Sequence, residues 1–120
     1  MTDIRTALAD YLNDQAAWRQ GKADEYPEDP RNQRSAKALR QLAQYVLSLP
    51  SGDERLRMLA ALDWVAWGRF VPGAEAGRVV ARIGFDLGPS DIDALLTRFT
   101  DACVDDATKN TGAPAPWDVE

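Results

Sequence analysis

The sequence predicts an all-α fold, a compact bundle of about five helices with a Pro-rich C-terminal tail. Three observations lead there. Apolar residues recur at helical spacing within segments that Pro and Gly cut apart. No segment shows the period-two alternation of a half-buried strand; Val79-Val80-Ala81 is too short and lies inside a helical pattern. The chain of 120 residues suits one domain, long enough to bury a core without cross-links.

The first helix is expected over about 3–20, with Ile4, Ala7, Leu8, Tyr11, Leu12 and Trp18 on one side. Thr2 or Asp3 supplies the N-terminal cap. Gly21 weakens the helix, although 22–25 could extend it. Two prolines, Pro27 and Pro30, make about 26–32 a loop. The second helix, about 32–49, buries Ala36, Leu39, Leu42, Ala43, Val46 and Leu47, and Pro50 stops it. Ser51 and Glu54 have capping-box spacing and open a third helix over about 52–70. Leu56, Met58, Leu59, Leu62, Trp64, Val65, Trp67 and Phe70 surround that helix almost completely, so it is expected at the centre of the bundle.

Pro72-Gly73 makes a turn into a short fourth helix, about 74–83, packed through Ala76, Val79, Val80 and Ile83. Ser90 opens the fifth, with Asp91 and Asp93 favourable at its N-terminus and Ile92, Leu95, Leu96, Phe99, Ala102 and Cys103 on its buried face. Residues 1–109 therefore read as one helical domain. Residues 110–120 read as a tail, mobile or docked through Trp117, because its prolines forbid a continuous helix.

Composition removes much chemistry. Histidine is absent, which excludes a Ser-His-Asp triad, a Cys-His pair and an HExxH zinc helix. The single Cys103 excludes an intrachain disulfide and any multi-cysteine metal site. No catalytic motif is evident, and no metal or cofactor is expected. The N-terminus lacks a basic region followed by an apolar run, and no stretch approaches the ~18 apolar residues of a membrane span. A cytoplasmic protein without membrane contact is the expectation. The net charge of −5 is uneven: residues 1–83 carry 12 positive and 11 negative groups, residues 84–120 carry 2 and 8.

Six features are weighed for function. Arg31, Arg34, Lys37 and Arg40 wind across one face of the second helix, as a site for phosphate, nucleic acid or an acidic partner, or as an ordinary solvated surface. Asp101 and Asp105, with Asp91, Asp93 and Asp106 nearby, could hold a cation, but the spacing matches no calcium loop and helix-end electrostatics explain it as well. Asp63 falls inside the apolar stripe of the third helix, and a buried carboxylate there must be paired or neutral. Trp64 and Trp67 read as core, while Trp117 in the tail either folds back or anchors another protein. Cys103 reads as packing. The helix pair at about 78–99 has a helix-turn-helix outline, but its second helix opens with Asp91 and Asp93 and offers only Arg98 to phosphates.

The reading that follows is a small interaction or accessory protein acting through contacts with another protein or with itself, without catalysis. Trp117 and the strip from Arg31 to Arg40 are its contact candidates. The alternative is a nucleic-acid-associated regulator using Arg31, Arg34, Lys37 and Arg40.

Overall fold

A computed structural model describes residues 3–86 and 91–112, with side chains through 108. In chain order the elements are α1 (Ile4–Glu25), α2 (Pro30–Ser48), α3 (Glu54–Ala61), strands β1 (Val65–Ala66) and β2 (Arg69–Phe70), α4 (Ala74–Arg82) and α5 (Ile92–Gly112). The protein is a helical bundle, as the periodicity predicts, with one small hairpin that the periodicity does not predict. No helix among the described residues is long and apolar enough to cross a membrane.

Asp3 begins α1 by accepting a hydrogen bond from the Arg5 backbone N–H at 2.8 Å. The helix then runs through Gly21 to Glu25, because Ala23 is buried and Gly21 has open space around it. The intrinsic cost of one helical glycine, about 1 kcal/mol, is outweighed. Pro30 stands in the first turn of α2, where its missing N–H is not needed, and Asp29 caps that helix by accepting from Arg31 N at 3.0 Å. The predicted loop at 26–32 is thereby shortened to 26–29. Arg5 Nη1 donates to the Leu49 carbonyl at 2.9 Å, and Arg19 Nη1 to Asn32 Oδ1 at 3.0 Å. These two ties join the start of α1 to the end of α2 and the reverse, so the helices are antiparallel. Leu8, Leu12 and Ala16 of α1 and Ala36, Leu39, Leu42, Ala43 and Val46 of α2 are buried. Leu47, expected inside, is exposed.

The third helix differs most from expectation. Its cap is Asp53, whose carboxylate accepts from Arg55 N at 2.9 Å and Leu56 N at 3.4 Å. Asp53 directly precedes the first helical residue, whereas Ser51 sits too early in the turn closed by Asp53 N to the Pro50 carbonyl. The helix ends at Ala61 instead of running to 70. Asp63 has φ +58°, the left-handed conformation that closes a helix, and its N–H donates to the Ala60 carbonyl at 3.2 Å. Asp63 is exposed and lies outside the apolar stripe, because the chain has left the helix before reaching it.

From Trp64 to Val71 the chain forms a β-hairpin, correcting the expectation of a fold without strands. Val65 pairs with Phe70 and Ala66 with Arg69. Val71 N adds a bond to the Trp64 carbonyl at 2.9 Å. The turn residues Trp67 and Gly68 have φ of +56° and +74°, the signature of a type I′ turn. The hairpin still delivers Phe70 to the core, with ring centroids 5.7 Å from Tyr11, 6.3 Å from Trp64 and 6.0 Å from Phe99. Separations in this range suit tilted aromatic pairs.

The N-cap of α4 is Gly73, which has no side chain to offer. Asp106 of α5 takes that role from across the bundle: its carboxylate accepts from Glu75 N at 3.1 Å and Ala76 N at 2.9 Å. A Cβ at Gly73 would lie 2.6 Å from the Asp106 carboxylate, so the close approach requires glycine here. In α5, Leu95, Leu96, Phe99, Ala102 and Cys103 are buried as their spacing predicts. Asp91 caps α5 by accepting from Asp93 N at 2.9 Å. Ser90 and Trp117, with the rest of the tail beyond 112, lie outside the described residues.

Candidate functional site

The basic strip on α2 does not act as one unit. Arg31 is held by Asp29 through two bonds, Nε to Oδ1 at 3.0 Å and Nη2 to Oδ2 at 2.9 Å. The Arg31 side chain and backbone N–H hold the Asp29 carboxyl down at about 2. Arg40 donates to Gln20 Oε1 at 3.2 Å. Arg34 and Lys37 have no hydrogen-bonded partner among the described residues, and both are exposed. They border a cleft of about 550 Å³ between α2 and the turn from Ile83 to Asp86, lined also by Ala38, Gln41, Gly84, Phe85 and Asp86, whose carboxylate is paired with Arg82.

That cleft is built from local chemistry. Gly84 has φ +71°, and a Cβ on it would meet the Ser35 Cα at 2.7 Å and the Arg34 carbonyl oxygen at 2.8 Å. Only glycine lets the turn lie this close to α2. Ser35, fully buried, donates its hydroxyl to the Ile83 carbonyl at 2.6 Å and pins the turn. Phe85 is gripped by two guanidinium groups, Arg31 at 4.4 Å and Arg19 at 4.6 Å from its ring centroid. Arg19 is itself fixed by Asn32 and by the Ala81 carbonyl at 2.7 Å.

Asp91, Asp93 and Asp106 serve structural tasks, whereas Asp101 and Asp105 stand exposed on α5. Asp106 caps α4, as described. Asp93 joins a clasp with Tyr45 and Arg55: Tyr45 Oη donates to Asp93 Oδ1 at 2.5 Å, and Arg55 Nη1 reaches the same oxygen at 2.7 Å. These bonds hold the Asp93 carboxyl below its ordinary range, with Tyr45 the larger cause. Arg55 also pairs with Asp53 at 3.1 Å, so the clasp links α2, the α3 cap and the start of α5. Among the described residues no three Cys, Asp or Glu side chains are grouped to hold a metal ion. Every buried side-chain N and O among them has a hydrogen-bond partner.

The tryptophans part company. Trp64 is half-buried against Phe70, but Trp67, predicted for the core, is 101% exposed at the hairpin tip. Trp18, predicted for the buried side of α1, is 54% exposed and lies under the Arg19 guanidinium at 4.9 Å. Trp67 stands at the rim of a second cleft, about 740 Å³, between α1 and the hairpin. Asp10, Tyr11 and Asp14 line its α1 wall, Arg69 and Pro72 the opposite one. The sequence does carry a signal for this site: Trp67-Gly68 is a two-residue turn between residues of strand propensity, with Gly where a type I′ turn needs it.

Cys103 is fully buried, and burial, reinforced by the Asp106 charge, pushes its thiol up to about 12. Tyr11 is likewise pushed up to about 12, mainly by burial. A thiol held protonated is no nucleophile near neutrality. Compared with known proteins, the chain matches no family model, no curated protein and no solved structure.

Proposed function

We propose that this chain works by binding another protein, with Trp67 as the aromatic anchor and the cleft between α1 and the hairpin as the seat. The observation that carries this reading is the conformation and exposure of Trp67 together. Its indole contributes no burial to its own fold. Its backbone nevertheless occupies the left-handed region, which costs a bulky residue about 1–2 kcal/mol. Asn at this position would make the same turn at lower cost. A strained residue presenting an aromatic side chain to solvent points to use of that side chain, and Trp is among the residues that dominate binding interfaces.

On this reading the chain is an accessory protein without catalysis of its own, acting in the cytoplasm. The nucleic-acid alternative draws less support. Arg31 is already neutralised by Asp29 at one end of the strip, and a polyanion needs a run of free cations.

Trp67→Asn tests the reading. Affinity capture from cells expressing the native chain, with sedimentation velocity for self-association, should recover a complex with the native protein and lose it with Trp67→Asn. Complexes of unchanged composition and strength would refute the assignment of Trp67.

A further inference from the structure

The cleft between α2 and the turn from Ile83 to Asp86 has the chemistry of a small-anion site, independent of the hairpin surface. Its volume, about 550 Å³, falls in the range of small-molecule pockets. Its floor is Ala38, Gly84 and Phe85. The floor is set in advance, by the Ser35 to Ile83 bond and by the two guanidinium groups on Phe85, so a ligand would not bear the cost of ordering it. At its rim stand Arg34 and Lys37, one helical turn apart and without hydrogen-bonded partners among the described residues.

The charges around the rim limit what fits. Arg31 is taken by Asp29 at 2.9 Å and Arg82 by Asp86 at 2.9 Å. Two cations remain without a hydrogen-bonded partner among the described residues, with Asp29 acting on Arg34 through space from one side and Asp86, paired with Arg82, in the cleft lining on the other. That arrangement suits one compact group of about −2 charge, the charge of a phosphomonoester near neutrality. It is poorly suited to a nucleic-acid backbone, whose neighbouring phosphates would meet Asp29 and Asp86. We propose that this cleft binds a small phosphomonoester, with the phosphate on Arg34 and Lys37 and an apolar or aromatic body against Ala38 and the part of Phe85 that the two guanidinium groups leave open.

Phenyl phosphate is a suitable probe, read by backbone amide chemical shifts in the full chain. Saturable shifts are expected at residues 34–41 and 83–86, with a Kd on the order of 1 mM or tighter. Arg34→Glu combined with Lys37→Glu should weaken binding at least about tenfold, while the spectrum elsewhere stays native because both side chains are exposed. The milder Arg34→Gln with Lys37→Gln should give a smaller loss in the same direction, and Arg98→Glu, outside the cleft, none. Absence of saturable shifts, or equal shifts in the Glu variant, would overturn the site. Equal affinity for inorganic phosphate would remove the role of the Phe85 floor and overturn the proposal as stated. Tighter binding of duplex DNA than of phenyl phosphate at the same residues would overturn it in favour of a polyanion surface.

Discussion

The α1–α2 pair and the stretch from Ala61 to Asp86 are held by different means. The pair is two long helices whose buried sides are mostly Leu, Val and Ala, repeated turn after turn, with Asn32 and Ser35 the buried polar residues of α2. Its specificity is spread over many similar contacts. The later stretch turns repeatedly within a short length, and each turn depends on one residue: Asp63 and Trp67 in left-handed backbone, Gly68 beside it, Gly73 under the Asp106 carboxylate, Gly84 against α2. Both clefts are formed where this second region lies against the first. The long helices supply rigid walls, and the turns decide what stands opposite them.

The sharpest test of the first half of that contrast is Leu42→Ala. Leu42 is fully buried in α2. Truncation should cost about 3–4 kcal/mol, from lost transfer energy and the cavity left behind. Urea or thermal unfolding measures it. A loss below about 1 kcal/mol would mean that the pair tolerates repacking and that its contacts are not jointly required.

Gly84→Ala tests the second half. The substitution removes no contact and adds one methyl group. That methyl meets the Ser35 backbone at 2.7 Å, on a residue with φ +71°. The left-handed strain alone is about 1–2 kcal/mol, and the clash with backbone should bring the total to about 2–3 kcal/mol. The turn must lift from α2 to relieve it, so the bond from Ser35 to Ile83 should weaken. Hydrogen exchange at residues 83–86 should rise more than in α1. Uniform exchange, or a change within about 0.5 kcal/mol, would show that the turn does not hold the cleft.

The same contrast explains what could be read from the sequence. Helices whose buried faces repeat were legible: α2, α4 and α5 buried most of the residues their spacing selects, because a periodic pattern has one satisfactory orientation. The region after Ala61 was not. Trp64, Val65, Trp67 and Phe70 satisfy a helical wheel, and the same residues satisfy a hairpin that turns at Trp67-Gly68. The helical pattern outweighed a single Gly, since Trp is a poor marker of left-handed backbone. Placing Asp63 inside the apolar stripe followed from that extension. In the sequence Asp106 is one acid among several, and nothing local marks it as the cap of α4, a partner 31 residues away. Of the two surfaces, the Arg34–Lys37 rim was visible as part of a basic strip, whereas the partners that neutralise its neighbours required the fold. Asp29 was the exception, two residues before Arg31 and within reach from sequence alone.

Trp67→Asn carries the smallest expected change in stability and separates two explanations of the hairpin tip. If the indole were there for the fold, its removal would destabilise the protein. The side chain is wholly exposed, so its own burial term is near zero. Asn accepts left-handed backbone more readily than Trp and forms the favoured Asn-Gly pair with Gly68. Stability should therefore rise by about 0.5–1 kcal/mol, measured by the urea midpoint at unchanged m-value. A rise in stability together with loss of the captured complex would be the trade of stability against function expected of a binding residue. A fall of about 1 kcal/mol or more would assign Trp67 to the fold after all, and would move the search for the anchor away from the hairpin, whose other large exposed apolar side chain is Val71.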